Sequence, residues 1–143
     1  MRWFVLAGSL IAGAAMAHSG ATGKVKERMD GMKAMGAAMK TVGPMAQGKS
    51  PYEAQAVRDA GRAIEAHAQK MVGLFPKGSD HKPTRALPDV WSNDAGFQAI
   101  ADKLTQAASA MAANADDQGA LADGFATVAK TCKDCHQVFR APE

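Results

Sequence analysis

Apolar and small residues recur along this chain at steps of three and four, which places them on one face of a helix turning 3.6 residues at a time. The first such run reads Val25, Met29, Met32, Gly36, Met39 and Gly43 and predicts a helix from Ser19 or Thr22 to Gln47. Gly48-Lys49-Ser50-Pro51 is a turn, and Pro51 suits the opening of a helix. A second run, Val57, Ala60, Ile64, His67, Met71 and Leu74, predicts a helix over about Tyr52 to Val72. Phe97, Ile100, Leu104, Ala107 and Met111 mark a third, opened by Ser92 or Asn93 as N-cap and ending near Ala113. Beyond the polar link Asn114 to Gly119, a fourth carries Leu121, Phe125, Val128, Cys132, Cys135 and Phe139 and ends near Arg140. Each stripe must be buried against another element. Four stripes joined by short links and one long loop predict an all-α, antiparallel up-down four-helix bundle.

The long loop, Leu74 to Trp91, contains Pro76, Gly78, Ser79, Pro83 and Pro88. Loops beyond about 12–15 residues are usually functional or disordered. Phe75 and Trp91 at its two ends either pin it to the body of the protein or close the bundle core.

Composition narrows the picture. Eight aromatic residues in 143, set among many Ala, Met, Lys and Gly, suit helices packed through small and flexible side chains. Residues 1–17 read as a cleaved secretory signal: Arg2 gives the positive start, Phe4 to Ala14 the apolar run, and Ala15-Met16-Ala17 the cleavage site. That run is shorter than the ~20 residues a membrane span needs. What remains is one domain, residues 18–143, with no membrane span. The formal charge of +3 falls to +2 without Arg2, and no long basic run points to nucleic acid.

The chemistry is concentrated in Cys132-Lys133-Asp134-Cys135-His136. Thiols three apart on a helix share a face, so both can bond to the vinyl groups of one haem while the adjacent imidazole reaches the iron. The C-x-x-C-H spacing reads as covalent attachment of one haem c, with His136 as proximal ligand. A redox C-x-x-C belongs near a βαβ pattern, which is missing. A zinc site needs two further ligands at matching spacing. Both cysteines lie on the apolar stripe of the last helix, so the ring points into the bundle. Gly36 would then let a flat porphyrin edge approach the backbone of the first helix. His67 reads either as a second iron ligand or proton-linked group, or as a boundary residue with its ring inward and a nitrogen toward water; the second is preferred. No acid–base pair stands at motif spacing, so an enzyme is not expected.

The whole mature chain resembles the class II c-type cytochromes, cytochrome c′ and its low-spin relatives, which carry C-x-x-C-H on the last helix of a four-helix bundle. The resemblance rests on Lys26-Glu27-Arg28 with Met32 one turn on, Gly48-Lys49-Ser50-Pro51-Tyr52, Leu74-Phe75-Pro76, Asp89-Val90-Trp91 and Cys135-His136-Gln137-Val138-Phe139-Arg140. It implies thioether links at Cys132 and Cys135, iron ligation by His136, and Arg140 beside that histidine. It also implies Arg28 near the haem propionates and Phe75, Trp91 and Phe125 around the ring. Met32 matches the distal position. A ligating Met gives low-spin iron and a periplasmic electron carrier serving other redox proteins. A bulky apolar residue there gives five-coordinate, high-spin iron open to NO and CO. The thioether is long and soft enough to bind, so Met32 as sixth ligand is the first expectation and the gas-binding protein the alternative. Met29 and Met35 are rival donors. The resemblance also implies periplasmic location and, in some members, homodimers through the first two helices.

Overall fold

The computed structural model describes residues 20–142; the signal segment 1–17 lies outside them. Four long helices form the body: α1 (Gly23–Ala46), α2 (Ala54–Met71), α4 (Asp94–Ala113) and α5 (Leu121–Phe139), with a one-turn α3 (Asp89–Ser92) at the end of the long loop. Three-residue 3₁₀ turns, Val72–Leu74 and Gln118–Ala120, close α2 and lead into α5. Packing runs around a square. α1 meets α2, α2 meets α4, α4 meets α5, and α5 returns to α1. The α2–α4 pair is the closest and the α1–α5 pair the loosest of the four. Among the described residues no helix is long and apolar enough to cross a membrane.

Glycine explains the tight pair. A β-carbon at Gly61 would stand 2.8 Å from the Ala108 carbonyl oxygen and 2.8 Å from both the nitrogen and β-carbon of Ala112. With only hydrogen at Gly61, the α2 backbone rests on small side chains of α4. The core fills in around this contact with Val57, Ile64, Leu104 and Val128, all buried. Asn93 caps α4 as expected: its side-chain oxygen accepts from the Gly96 N–H at 3.2 Å.

The stripe expected on α1 is rotated. The buried positions are Val25, Arg28, Gly31, Met35, Val42 and Gly43, whereas Met29 and Gly36 are exposed and Met32 and Met39 half-buried. The reason is a second interface. The face carrying Met29, Met32, Gly36 and Met39 turns toward a cavity, while the Gly31 face packs on α2. On α2 the expected Val57, Ala60, Ile64 and Met71 are buried and Gly61 and Ala68 join them, while His67 and Leu74 are half-buried; on α4 Ala101 and Ala108 are buried where Ile100 and Ala107 were expected. Helix α2 starts two residues after Tyr52, whose hydroxyl instead donates to the Ala115 carbonyl at 2.5 Å and ties the first turn to the α4–α5 link.

Candidate functional site

The loose seam between α1 and α5 opens into a cavity of about 700 Å³, within the range of ligand and cofactor pockets. Cys132, Cys135 and His136 stand on its α5 wall, with Ala129 and Phe125 one and two turns earlier. Arg28, Met29, Met32, Met35, Gly36 and Met39 form the α1 wall. Beside Gly36 a β-carbon would meet nothing within 4 Å, so the α1 backbone is laid bare to the cavity there. Ile64, Leu104 and Phe97 close the floor.

Both cysteines are free thiols and half-buried. Burial raises the Cys132 pKa, and burial followed by the neighbouring Cys132 pushes Cys135 up to about 11, so both are protonated at neutral pH. Burial first, then the positive charges of Arg140 and Arg85, lowers the His136 pKa. A neutral imidazole is the form that ligates a metal. Among the described residues no three His, Cys, Asp or Glu gather into a metal cluster, and no strand other than an isolated bridge exists. The zinc and thioredoxin readings therefore find no partners here. Two thiols and an imidazole on one wall of a large apolar cavity fit the edge and the iron of a covalently held haem.

Arg28 lines the cavity from α1. It is 4% exposed, and its guanidinium turns into the loop after α2. Nη1 donates to the Leu74 carbonyl at 3.3 Å and the Ser79 hydroxyl at 2.9 Å; Nη2 donates to the Ser79 carbonyl at 2.5 Å and the Thr84 hydroxyl at 2.7 Å. The Phe75 ring lies beneath it, 4.5 Å from ring centre to guanidinium carbon. A buried arginine without partners would cost several kcal/mol, and these contacts supply them.

Trp91 is not among the residues lining the cavity. Its indole N–H donates to the carbonyls of Phe75 and Pro76 at 3.0 and 3.2 Å, and its ring meets Phe75 edge-on. It holds the back of the loop while Phe75 faces the cavity. His67 is half-buried against Gly31, where a β-carbon would stand 3.3 Å from its Nδ1. It does not line the cavity, in keeping with a boundary residue.

Sequence reasoning passed over Arg85, Ser79 and Thr84. The loop's far end runs alongside the chain terminus. Leu87 N–H donates to the Phe139 carbonyl at 2.9 Å, Ala141 N–H to the Arg85 carbonyl at 2.8 Å, and Arg85 Nη2 to the Ala141 carbonyl at 2.7 Å. Thr84, Arg85 and Ala86 thereby line the cavity. One signal was available: an arginine three residues after Val25 and seven before Met35 sits on a buried face and needs polar partners.

The family model described as Cytochrome C' matches residues 23–140. Cytochrome c-556 of Agrobacterium fabrum is 35% identical over 137 residues, covering 95% of this chain and 90% of its own. Cytochrome c′ of Rhodopseudomonas palustris is 31% identical over 142 residues, covering 99% and 97%. The solved structure of cytochrome c′ from Rhodopseudomonas palustris superposes with a TM-score of 0.80 at 31% identity, over 86% of this chain and 99% of that one.

Proposed function

Because this chain belongs to the cytochrome c′ family of class II c-type cytochromes, we propose that it is a periplasmic haem protein whose distal side, walled by α1, is open to small gases such as NO and CO. Proteins of this family carry covalent haem c, whose iron supplies a one-electron couple and a coordination position for a diatomic ligand. Cys132 and Cys135 would hold the group by thioether bonds from α5, and His136 would offer its neutral imidazole to the iron. Opposite these residues the wall is apolar apart from Arg28, and among the described residues of α1 that line it only the methionine thioethers could ligate a metal. That wall, bare of any side chain at Gly36, is the observation that supports the reading. The apolar surround excludes water, and Phe125 and Phe75 close the sides. The sequence placed ligation by Met32 first; relatives named cytochrome c′ favour the open distal side over it.

Met32 lines the cavity and is half-buried, which supports a second reading: an electron carrier for periplasmic redox proteins with Met32 as sixth ligand. One experiment separates the two. Absorption spectra of the purified haem-loaded protein are taken oxidised and reduced, before and after CO. The open reading expects broad high-spin bands that shift at once with CO and survive Met32→Ala. Split low-spin bands indifferent to CO, turned high-spin by Met32→Ala, would overturn it and establish Met32 as a ligand.

A further inference from the structure

The mouth of the cavity lies between α1 and α5, and the flank just outside each wall is basic. On α1, Lys33 and Lys40 follow the lining residues Met29 and Gly36 by four positions, which sets each one turn along the same strip of helix. On α5, Lys133 and Arg140 follow Ala129 and His136 by the same step. The loop adds Lys82 and Arg85 on either side of Pro83 and Thr84. All of these cations are exposed except Arg140, which is half-buried. Lys33, Lys40, Lys82 and Lys133 have no ion-pair partner among the described residues.

Acids are kept off this rim. Glu27 and Asp30 lie on the far side of α1 and are held there by Lys24 and Lys26. Asp134 lies on the far side of α5, paired with Lys130, and Asp80 is the one acid of residues 75–88. The whole chain carries a formal charge of only +3, so with the rim cations set aside the remainder is acidic on balance. Two haem carboxylates at this mouth would reduce the local excess without reversing it. A concentration of one sign around an opening in a low-dielectric wall focuses the field there and steers oppositely charged partners toward it.

We infer that this rim is a docking surface for an acidic redox protein, one that presents carboxylates around its own electron-transfer centre. Charge complementarity of this kind speeds and orients encounter more than it tightens the complex. A face that binds membrane joins its cations to a broad apolar strip, and at this rim Met29 is the one large apolar side chain that is exposed. The inference rests on the haem reading, since the partner must find a haem to reduce or oxidise, and not on whether the iron takes CO.

The test uses the haem-loaded protein and two double variants. Lys33→Glu/Lys133→Glu reverses one charge on each wall of the mouth; Lys49→Glu/Lys103→Glu makes the same change in net charge on the turn after α1 and on α4, both exposed. The first readout is stopped-flow oxidation of the reduced protein by ferricyanide. One electron leaves the haem iron and converts ferricyanide to ferrocyanide, with no bond made or broken. The wild-type rate is expected to fall about tenfold between about 10 and about 200 mM salt. The rim variant should flatten that dependence, and the remote variant should keep it. The second readout is binding to immobilised poly-glutamate at low salt, which needs no electron transfer: the wild type and the remote variant should be retained and the rim variant released. A flat salt dependence in the wild type, or equal losses in the two variants, would overturn the inference. Retention by phosphatidylglycerol vesicles without retention by poly-glutamate would overturn it in favour of a lipid surface. Should the first rim pair not accumulate as folded protein, Lys40→Glu/Lys82→Glu decides the matter from other positions. Neither readout uses CO uptake, so failure of the open-distal-side reading is seen separately.

Discussion

Nη1 of Arg140 lies 3.5 Å from Nδ1 of His136, one helical turn away at the end of α5. Arginine only donates. When His136 binds iron through Nε2 and carries its proton on Nδ1, the contact joins two donors and acts through charge instead of a hydrogen bond. Arg140 then disfavours any added positive charge on the imidazole side. Arg140→Gln is expected to lower the reduction potential by about 40 mV, the one-electron equivalent of roughly 1 kcal/mol of screened Coulomb energy. Potentiometric titration of both proteins checks it; an equal or higher value in the variant sinks the argument.

Gly36 and Gly61 are both helical glycines with opposite surroundings, and alanine should separate them. At Gly61 the added methyl meets α4 backbone at 2.8 Å. The helix-propensity gain of ~1 kcal/mol is outweighed by overpacking against an unyielding neighbour. Gly61→Ala should lose about 1–3 kcal/mol, read from thermal or denaturant unfolding.

At Gly36 the methyl meets nothing within 4 Å. In the haem-free protein Gly36→Ala should therefore gain up to ~1 kcal/mol. Gly36→Leu projects into the cavity and should shift the haem absorption bands while the far-ultraviolet dichroism stays helical. Unmoved bands in the leucine variant would show that the ring does not lie against this part of α1.

Tyr52 is the single tyrosine of the chain, so its ionisation can be followed directly in the ultraviolet. Burial first, then Asp116 and Asp117, raises its pKa above the usual ~10, with Arg58 opposing. The native state therefore holds the phenolic proton to higher pH than the unfolded chain. Its stabilising contribution is complete below pH ~10 and is lost as pH rises through the native pKa. A tyrosinate midpoint at or below that of the denatured protein contradicts this. Tyr52→Phe should cost about 1 kcal/mol through the bond to Ala115, and it should flatten the alkaline loss of stability.

Much of this was legible in order and spacing. Stripes at three- and four-residue steps gave four helices to within two or three residues at most ends, because burial of one face is what those steps express. Cys132, Cys135 and His136 needed no fold to be recognised. Arg28 shows where such reading stops. A stripe of apolar letters does not reveal that α1 has two working faces, one against α2 and one toward a cavity. The partners of the arginine between them, Ser79 and Thr84, are 51 and 56 positions away and leave no trace in its local pattern. Trp91 was misplaced for a related reason: an aromatic at a loop end looks the same whether it touches the cavity or braces Phe75 from behind. Arg85 went unnoticed because its position depends on pairing with the last residues of the chain.

That pairing also bears on the order in which the molecule is built. Arg85 and Ala141 are 56 positions apart, and contacts of such separation form late, after local helices exist. The docking of residues 139–141 on residues 85–87 is therefore expected to close this rim of the cavity only after the helices that wall it have formed.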